Sequence, residues 1–120
     1  MEAAQDLEAL VADWLTVPEV AERLSIDVTK VRQLIREGKL LAVRTEEGGP
    51  LRVPALFVQG DHIVKGLSGT ITLLRDNRYA DDEAVRWLFT GDDSLPGSPI
   101  QALVENRGTE VKRRAQAMAF

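Results

Sequence analysis

Cysteine is absent from this 120-residue chain. That excludes disulfides, thiolate metal sites and a cysteine nucleophile, and it is consistent with a reducing cytoplasm. Histidine occurs once, as His62. With no second His, no Cys and no paired carboxylates at ligand spacing, it reads as a surface or structural residue rather than a metal ligand. No apolar run approaches the length that spans a bilayer. The acidic start MEAAQDLEALVADW lacks the basic segment that opens a signal peptide. Walker A and dinucleotide glycine patterns are missing. Gly66-Leu67-Ser68-Gly69 falls short of a G-x-S-x-G elbow. Asp81-Asp82-Glu83 and Asp92-Asp93 lack calcium-loop spacing. The expectation is a non-enzymatic protein with no cofactor, no metal and no membrane span.

Basic charge is also scarce, with a net charge of −4. Its distribution is uneven: −5 over residues 1–24, +2 over 25–54, +1 over 55–80, −4 over 81–98 and +2 over 99–120. An anionic partner would have to meet residues 25–54 or the C-terminal end. The apolar fraction of 44% is enough to build a real core, so wholesale disorder is excluded.

The most informative stretch is Leu15–Arg52. Thr16-Val-Pro-Glu19 has the form of a helix start, with Thr16 as cap, Pro18 in the first turn and Glu19 at the capping-box position. Val17, Val20, Ala21 and Leu24 then line one face, and small Ala21 lets a second helix cross closely. Ser25-Ile26-Asp27 is a turn, with Ile26 directed inward and Asp27 or Ser25 capping the next helix. That second helix is predicted from about Val28 to Glu37, stopped by Gly38 in the left-handed conformation. Val28, Val31, Leu34 and Ile35 form its buried stripe. Thr29, Lys30, Arg32, Gln33 and Arg36 face outward, and these are side-chain types that hydrogen-bond base edges and phosphates. Such residues also make an ordinary solvated helix face. The preceding cap, turn and small residue favour DNA contact. Leu40–Arg44 and Leu51–Val53 read as strands joined through Gly48-Gly49, a hairpin wing. Arg44 and Arg52 are placed to reach phosphates or the minor groove, whereas Glu46 and Glu47 disfavour contact at the wing tip.

On either side, residues 2–13 are predicted to form a packing helix with Leu7, Leu10, Val11 and Trp14 at helical spacing. Val53–Val58 returns to the core, and Gln59-Gly60-Asp61 is a turn. Four further helices complete the chain. One capped by Ser68 runs through Thr70–Arg75. One capped by Asp81 contains Val85, Leu88 and Phe89. A short one starts at Ser98-Pro99. The last is capped by Thr109, after Gly108 as a breaker, and covers Glu110–Ala119 with Val111, Ala115, Met118 and Ala119 packing. Lys112, Arg113 and Arg114 lie mostly outside, as a solvated face or a secondary DNA contact.

Residues 15–54 resemble the winged helix of excisionase and MerR-type proteins through LTVPEVAERLSIDVTKVRQLIREGKLLAVR. Over residues 15 to 120 the chain is similar to a small actinobacterial family of winged-helix DNA-binding proteins, whose mycobacterial members are tied to Ser/Thr kinase signalling. The stretches that carry this likeness are VTKVRQLIREGKLLAVR, IVKGLSGTITLL, DDEAVRWLF and VKRRAQAMAF. The resemblance implies DNA binding by the Val28–Glu37 helix. It does not transfer a phosphorylatable tail, because residues 1–15 contain no Ser or Thr and Thr16 is committed as a cap. The order of the C-terminal helices is also similar to the toxin-binding domain of some Xre-type antitoxins.

The expected architecture is mainly α with a small β-hairpin wing: a winged helix-turn-helix with an N-terminal packing helix over 1–58, and a C-terminal helical extension over 59–120. The expected partner is double-stranded DNA, as for a transcriptional regulator or architectural protein associated with the nucleoid. Thr29, Lys30, Arg32 and Gln33 would meet base edges or nearby phosphates, and Arg36, Lys39, Arg44 and Arg52 the backbone. The alternative is a protein-interaction module, binding a partner or a second copy through the C-terminal helices and drawing on the acidic residues of 81–93.

Overall fold

Thr16 performs two jobs in the computed structural model, which describes residues 7–91, 97–105 and 108–117, with the backbone alone at 108–110, 112 and 114. It ends strand β1 (Trp14–Thr16) and caps helix α2 (Val17–Leu24), the first long helix after a short α1 at 7–10. The capping box is formed in both directions. Glu19 N donates to Thr16 Oγ1 at 3.2 Å and Thr16 N donates to Glu19 Oε1 at 2.8 Å. The Thr16 backbone donor is the main reason that the Glu19 carboxyl is held below its ordinary value, with further help from the Thr16 hydroxyl. Pro18 occupies the first turn, where its missing N–H costs nothing.

The turn into helix α3 (Val28–Arg36) is made by Ser25 in the left-handed conformation, with φ 57°. Ile26 N reaches back to Ala21 O at 3.0 Å, and Ile26 packs against the core. Asp27 takes the N-cap position without a side-chain cap bond. Neither residue expected to cap α3 does so through its side chain. The helix stops as expected, with Gly38 at φ +76°.

Beside these helices stands a three-stranded antiparallel sheet of order β1-β3-β2, with β2 at Val43–Arg44 and β3 at Leu51–Pro54. Leu15 pairs with Val53, and both are buried. The mainly helical winged helix-turn-helix expectation holds, with two corrections. The helix expected over 2–13 is helical at 7–10 within the described residues, and Trp14 belongs to a strand. Leu7 and Val11 are buried as a helical spacing demands, but Leu10 is 37% exposed. Pairing with β3 satisfies the backbone of 14–16, and this outweighs the local periodicity. The strand expected over Leu40–Arg44 shrinks to Val43–Arg44, because Leu40, Leu41 and Ala42 are all buried and thread through the core without ladder pairing.

A 3-10 turn at Ala55–Phe57 leads into a second hairpin, β4 (Val58–Gln59) and β5 (His62–Ile63), and then into four helices. These are α4 (Leu67–Asp76), α5 (Asp81–Phe89), α6 (Pro99–Val104) and α7 (Gly108–Ala117). Ser98 caps α6 by accepting from Gln101 N at 3.3 Å. Three other expected caps are displaced. The α4 helix starts at Leu67 with Gly66 before it at φ +89°, so Ser68 lies inside the first turn. Ala80 precedes α5 and donates its N–H to Glu83 Oε1 at 2.9 Å, which leaves Asp81 helical and free to pair elsewhere. Gly108 and Thr109 both fall within α7. Met118 and Ala119, expected to pack, lie outside the described residues, as do Asp92 and Asp93. Val111 and Ala115 are fully buried, and Asn77 Nδ2 donates to Ala115 O at 3.1 Å, fastening α7 to the end of α4.

One apolar cluster runs from Leu7 through Val31, Phe57 and Leu74 to Val111, so both halves of the chain contribute to it. His62 is exposed, with Nδ1 3.4 Å from Asp61 Oδ1. Among the described residues no helix is long and apolar enough to cross a membrane.

Candidate nucleic-acid interface

The outward face of α3 is set by which residues the helix buries. Val31 is fully buried, with Val28, Leu34 and Ile35 packed partly against the core. At about 100° per residue, Thr29, Arg32, Gln33 and Arg36 then fall on one stripe opposite, at i, i+3, i+4 and i+7. Thr29, Arg32 and Arg36 are exposed, and Gln33 is half-buried. Lys30 lies on the flank, on the same side as Glu37. No ion pair among the described residues involves Arg32 or Arg36.

Several other residues of the expected set have intramolecular partners. Gln33 Nε2 donates to Glu37 Oε2 at 3.0 Å, and Lys39 Nζ lies 3.7 Å from Glu37 Oε1. The Gln33 hydrogen bond, aided by the charges of Lys39 and Lys30, keeps the Glu37 carboxyl below its ordinary value. Glu37 is therefore an anion at neutral pH, one helical turn from Gln33. The sequence reading missed this role, although the i, i+4 spacing of Gln33 and Glu37 is a legible signal for it.

In the wing, Arg44 Nε donates to Gly49 O at 3.0 Å and so closes the turn it flanks. Arg52 Nη2 lies 3.9 Å from Glu46 Oε1. The ladder sets Arg44 opposite Leu51 and Arg52 opposite Val43. Directly paired residues share a face and neighbours along a strand alternate, so the two arginines leave the hairpin on opposite faces. Arg44 is exposed and Arg52 half-buried. On α7, Arg113 is exposed, while the side chains of Lys112 and Arg114 lie outside the described residues. Among the described residues no group of His, Asp and Glu is placed to hold a metal ion.

The comparisons with known proteins divide along the same chain. Residues 2–58 match a family model described as the DNA-binding protein Rv2175c, wHTH domain. Residues 64–119 match one described as the Rv2175c C-terminal domain of unknown function. The DNA-binding protein Rv2175c of Mycobacterium tuberculosis is 44% identical over 116 residues, covering 87% of this chain and 79% of that protein. Among solved structures, the NMR structure of Rv2175c matches with a TM-score of 0.80 at 40% identity, covering 90% of this chain and 82% of that one. With a helix-turn-helix, a paired wing and both family segments in order, the chain belongs to the Rv2175c family of winged helix-turn-helix proteins.

Proposed function

We propose that this protein binds duplex DNA by laying α3 in the major groove, and that it acts as a transcriptional regulator or an architectural protein. The observation that carries the proposal is the outward stripe of α3: exposed Thr29, Arg32 and Arg36, with the cations unpaired among the described residues. The relative's name as a DNA-binding protein supports the same reading. Thr29, Lys30, Arg32 and Gln33 take the base-edge and nearby phosphate positions. Arg36, Lys39, Arg44 and Arg52 serve the backbone, with Arg113 as the described member of a secondary contact. Residues 1–58 supply the reading unit and 59–120 its support.

In a chain of net charge −4, the attraction comes from a local patch and is screened readily. Neutralising about four phosphates gives a slope of roughly −3.6 for log K against log salt, so affinity falls roughly a hundredfold between about 50 and 200 mM salt. Fluorescence anisotropy with labelled random duplex measures this directly. No binding near 50 mM salt by a folded sample would overturn the proposal.

Glu37 makes a second, opposite prediction. Its anion repels phosphate and occupies both Gln33 and Lys39. Glu37→Gln removes the charge while keeping the side-chain length. Duplex affinity is expected to rise several-fold at low salt, because one repulsive charge next to the phosphates is removed. The gain should fade as salt increases. An unchanged or weaker affinity in the same titration would place Glu37 away from the DNA.

A further inference from the structure

We infer that Arg75 is a positioning residue for the recognition helix α3, and that helix α4 acts on DNA through it without itself touching DNA. This rests on the DNA-binding reading above. Arg75 is in the last turn of α4, 40 residues beyond Ile35, yet its guanidinium reaches the C-terminal end of α3. Nη2 donates to Ile35 O at 3.5 Å. A Cβ at Gly38 would stand 3.0 Å from Nη1, so the guanidinium packs against the bare face of that glycine. Ile71, one turn earlier on α4, contacts the same spot, 3.8 Å away through Cγ2. Gly38 thus serves two ends: its φ of +76° stops the helix, and its missing side chain admits the clamp.

The other end of the clamp is Asp81. Arg75 Nη2 donates to Asp81 Oδ1 at 3.1 Å and to Oδ2 at 3.4 Å, and Nε donates to Oδ1 at 3.3 Å. Asp81 is available because Ala80, not Asp81, stands at the N-cap of α5. The guanidinium therefore lies between a helix C-terminus, which is partially negative, and a carboxylate in the first turn of another helix. Both neighbours favour a cation there, and the planar fork can address both at once. A rotation of α3 about its own axis would move Arg32 and Arg36 off the groove. The clamp opposes that rotation at the last turn, next to Arg36. This gives the C-terminal segment a part in the binding event.

The test uses the full chain with Arg75→Met, which keeps most of the apolar stem, and Asp81→Asn, which weakens the clamp from its other side. Two measurements are made. In the free protein, amide chemical shifts of Ile35–Lys39 should move in both variants, while melting shows each still folded. With labelled duplex, Arg75→Met should bind roughly tenfold more weakly at low salt, with the wild-type slope of log K against log salt, and Asp81→Asn should fall between. Arg75→Lys should recover part of the loss. A slope reduced by about one would make Arg75 a phosphate contact and overturn the positioning role. Wild-type affinity in both variants would overturn it too. If the wild-type protein fails to bind duplex, the DNA reading falls by itself. The amide shifts then still decide the clamp, and unmoved shifts at 35–39 would refute it.

Discussion

Arg32→Ala combined with Arg36→Ala is expected to remove most duplex binding while leaving the helical signal and the melting temperature as they were. The two residues are one helical turn apart on the exposed stripe of α3, and neither forms an ion pair among the described residues. Nothing in the fold is seen to depend on their charge, and Ala is the better helix former, so α3 should persist. A lost base-edge contact at Arg32 is worth roughly 1–3 kcal/mol and the lost phosphate contact at Arg36 adds to it, so the pair should cost on the order of a hundredfold. The salt titration separates the two kinds of contact. If both residues meet phosphate, the slope of log K against log salt falls by about two. If Arg32 reads a base, the single Arg32→Ala variant should flatten the preference among duplex sequences and leave the slope closer to wild type. Wild-type binding by the double variant, with an unchanged slope, would move the interface to the wing or to α7. Arg44 is then the first residue to test, since it is exposed and its bond to Gly49 O leaves its Nη atoms available.

The helix-turn-helix was legible because its signals are local. Thr16 with Glu19, the small Ala21, the 28-31-34-35 stripe and Gly38 each act within a turn or two of themselves, and the fold uses all of them. The two strand failures have their cause in distant parts of the chain. Trp14–Thr16 is a strand because β3, far along the chain, pairs with it through Leu15 and Val53. Leu40–Ala42 looks like a strand because a buried run and a ladder share one composition. Ser68, Asp81 and Thr109 are all good capping types, yet each lies inside its helix, and before α5 the local bond from Ala80 N to Glu83 Oε1 takes the cap position. In the candidate site, residue types and the exposed face were readable from the α3 periodicity. The engagement of Gln33 by Glu37 was readable only from i, i+4 spacing, and that of Lys39, two residues past Glu37, was not readable from it. The reach of Arg75 to Ile35 was not readable at all, since no local pattern couples positions 40 residues apart.

Phe57→Ala is expected to lower stability by roughly 3–5 kcal/mol, a large share of the 5–15 kcal/mol typical of a domain. Phe57 is fully buried and heads the fully buried side chains by volume. It sits in the 3-10 turn between β3 and β4, with its ring centroid 5.7 Å from that of Phe89 on α5. The 3-10 turn also packs against α6. The side chain therefore ties the sheet of the winged helix to two helices of the C-terminal segment, and its removal leaves a cavity at the join. The two tryptophans allow each side to be followed separately, because Trp14 lies in β1 and Trp87 in α5. Single-tryptophan variants, Trp14→Phe and Trp87→Phe, are unfolded in urea with and without Phe57→Ala. With a urea dependence of about 2 kcal/mol per molar, both midpoints should fall by roughly 2 M and stay coincident. Coincidence is expected because the apolar cluster is continuous from Leu7 to Val111, so neither segment keeps a sealed core when the other opens. If only the Trp87 signal shifted, the winged helix would be stable by itself. In that case the C-terminal helices would bear on α3 only through local contacts such as those of Ile71 and Arg75 at its C-terminal end.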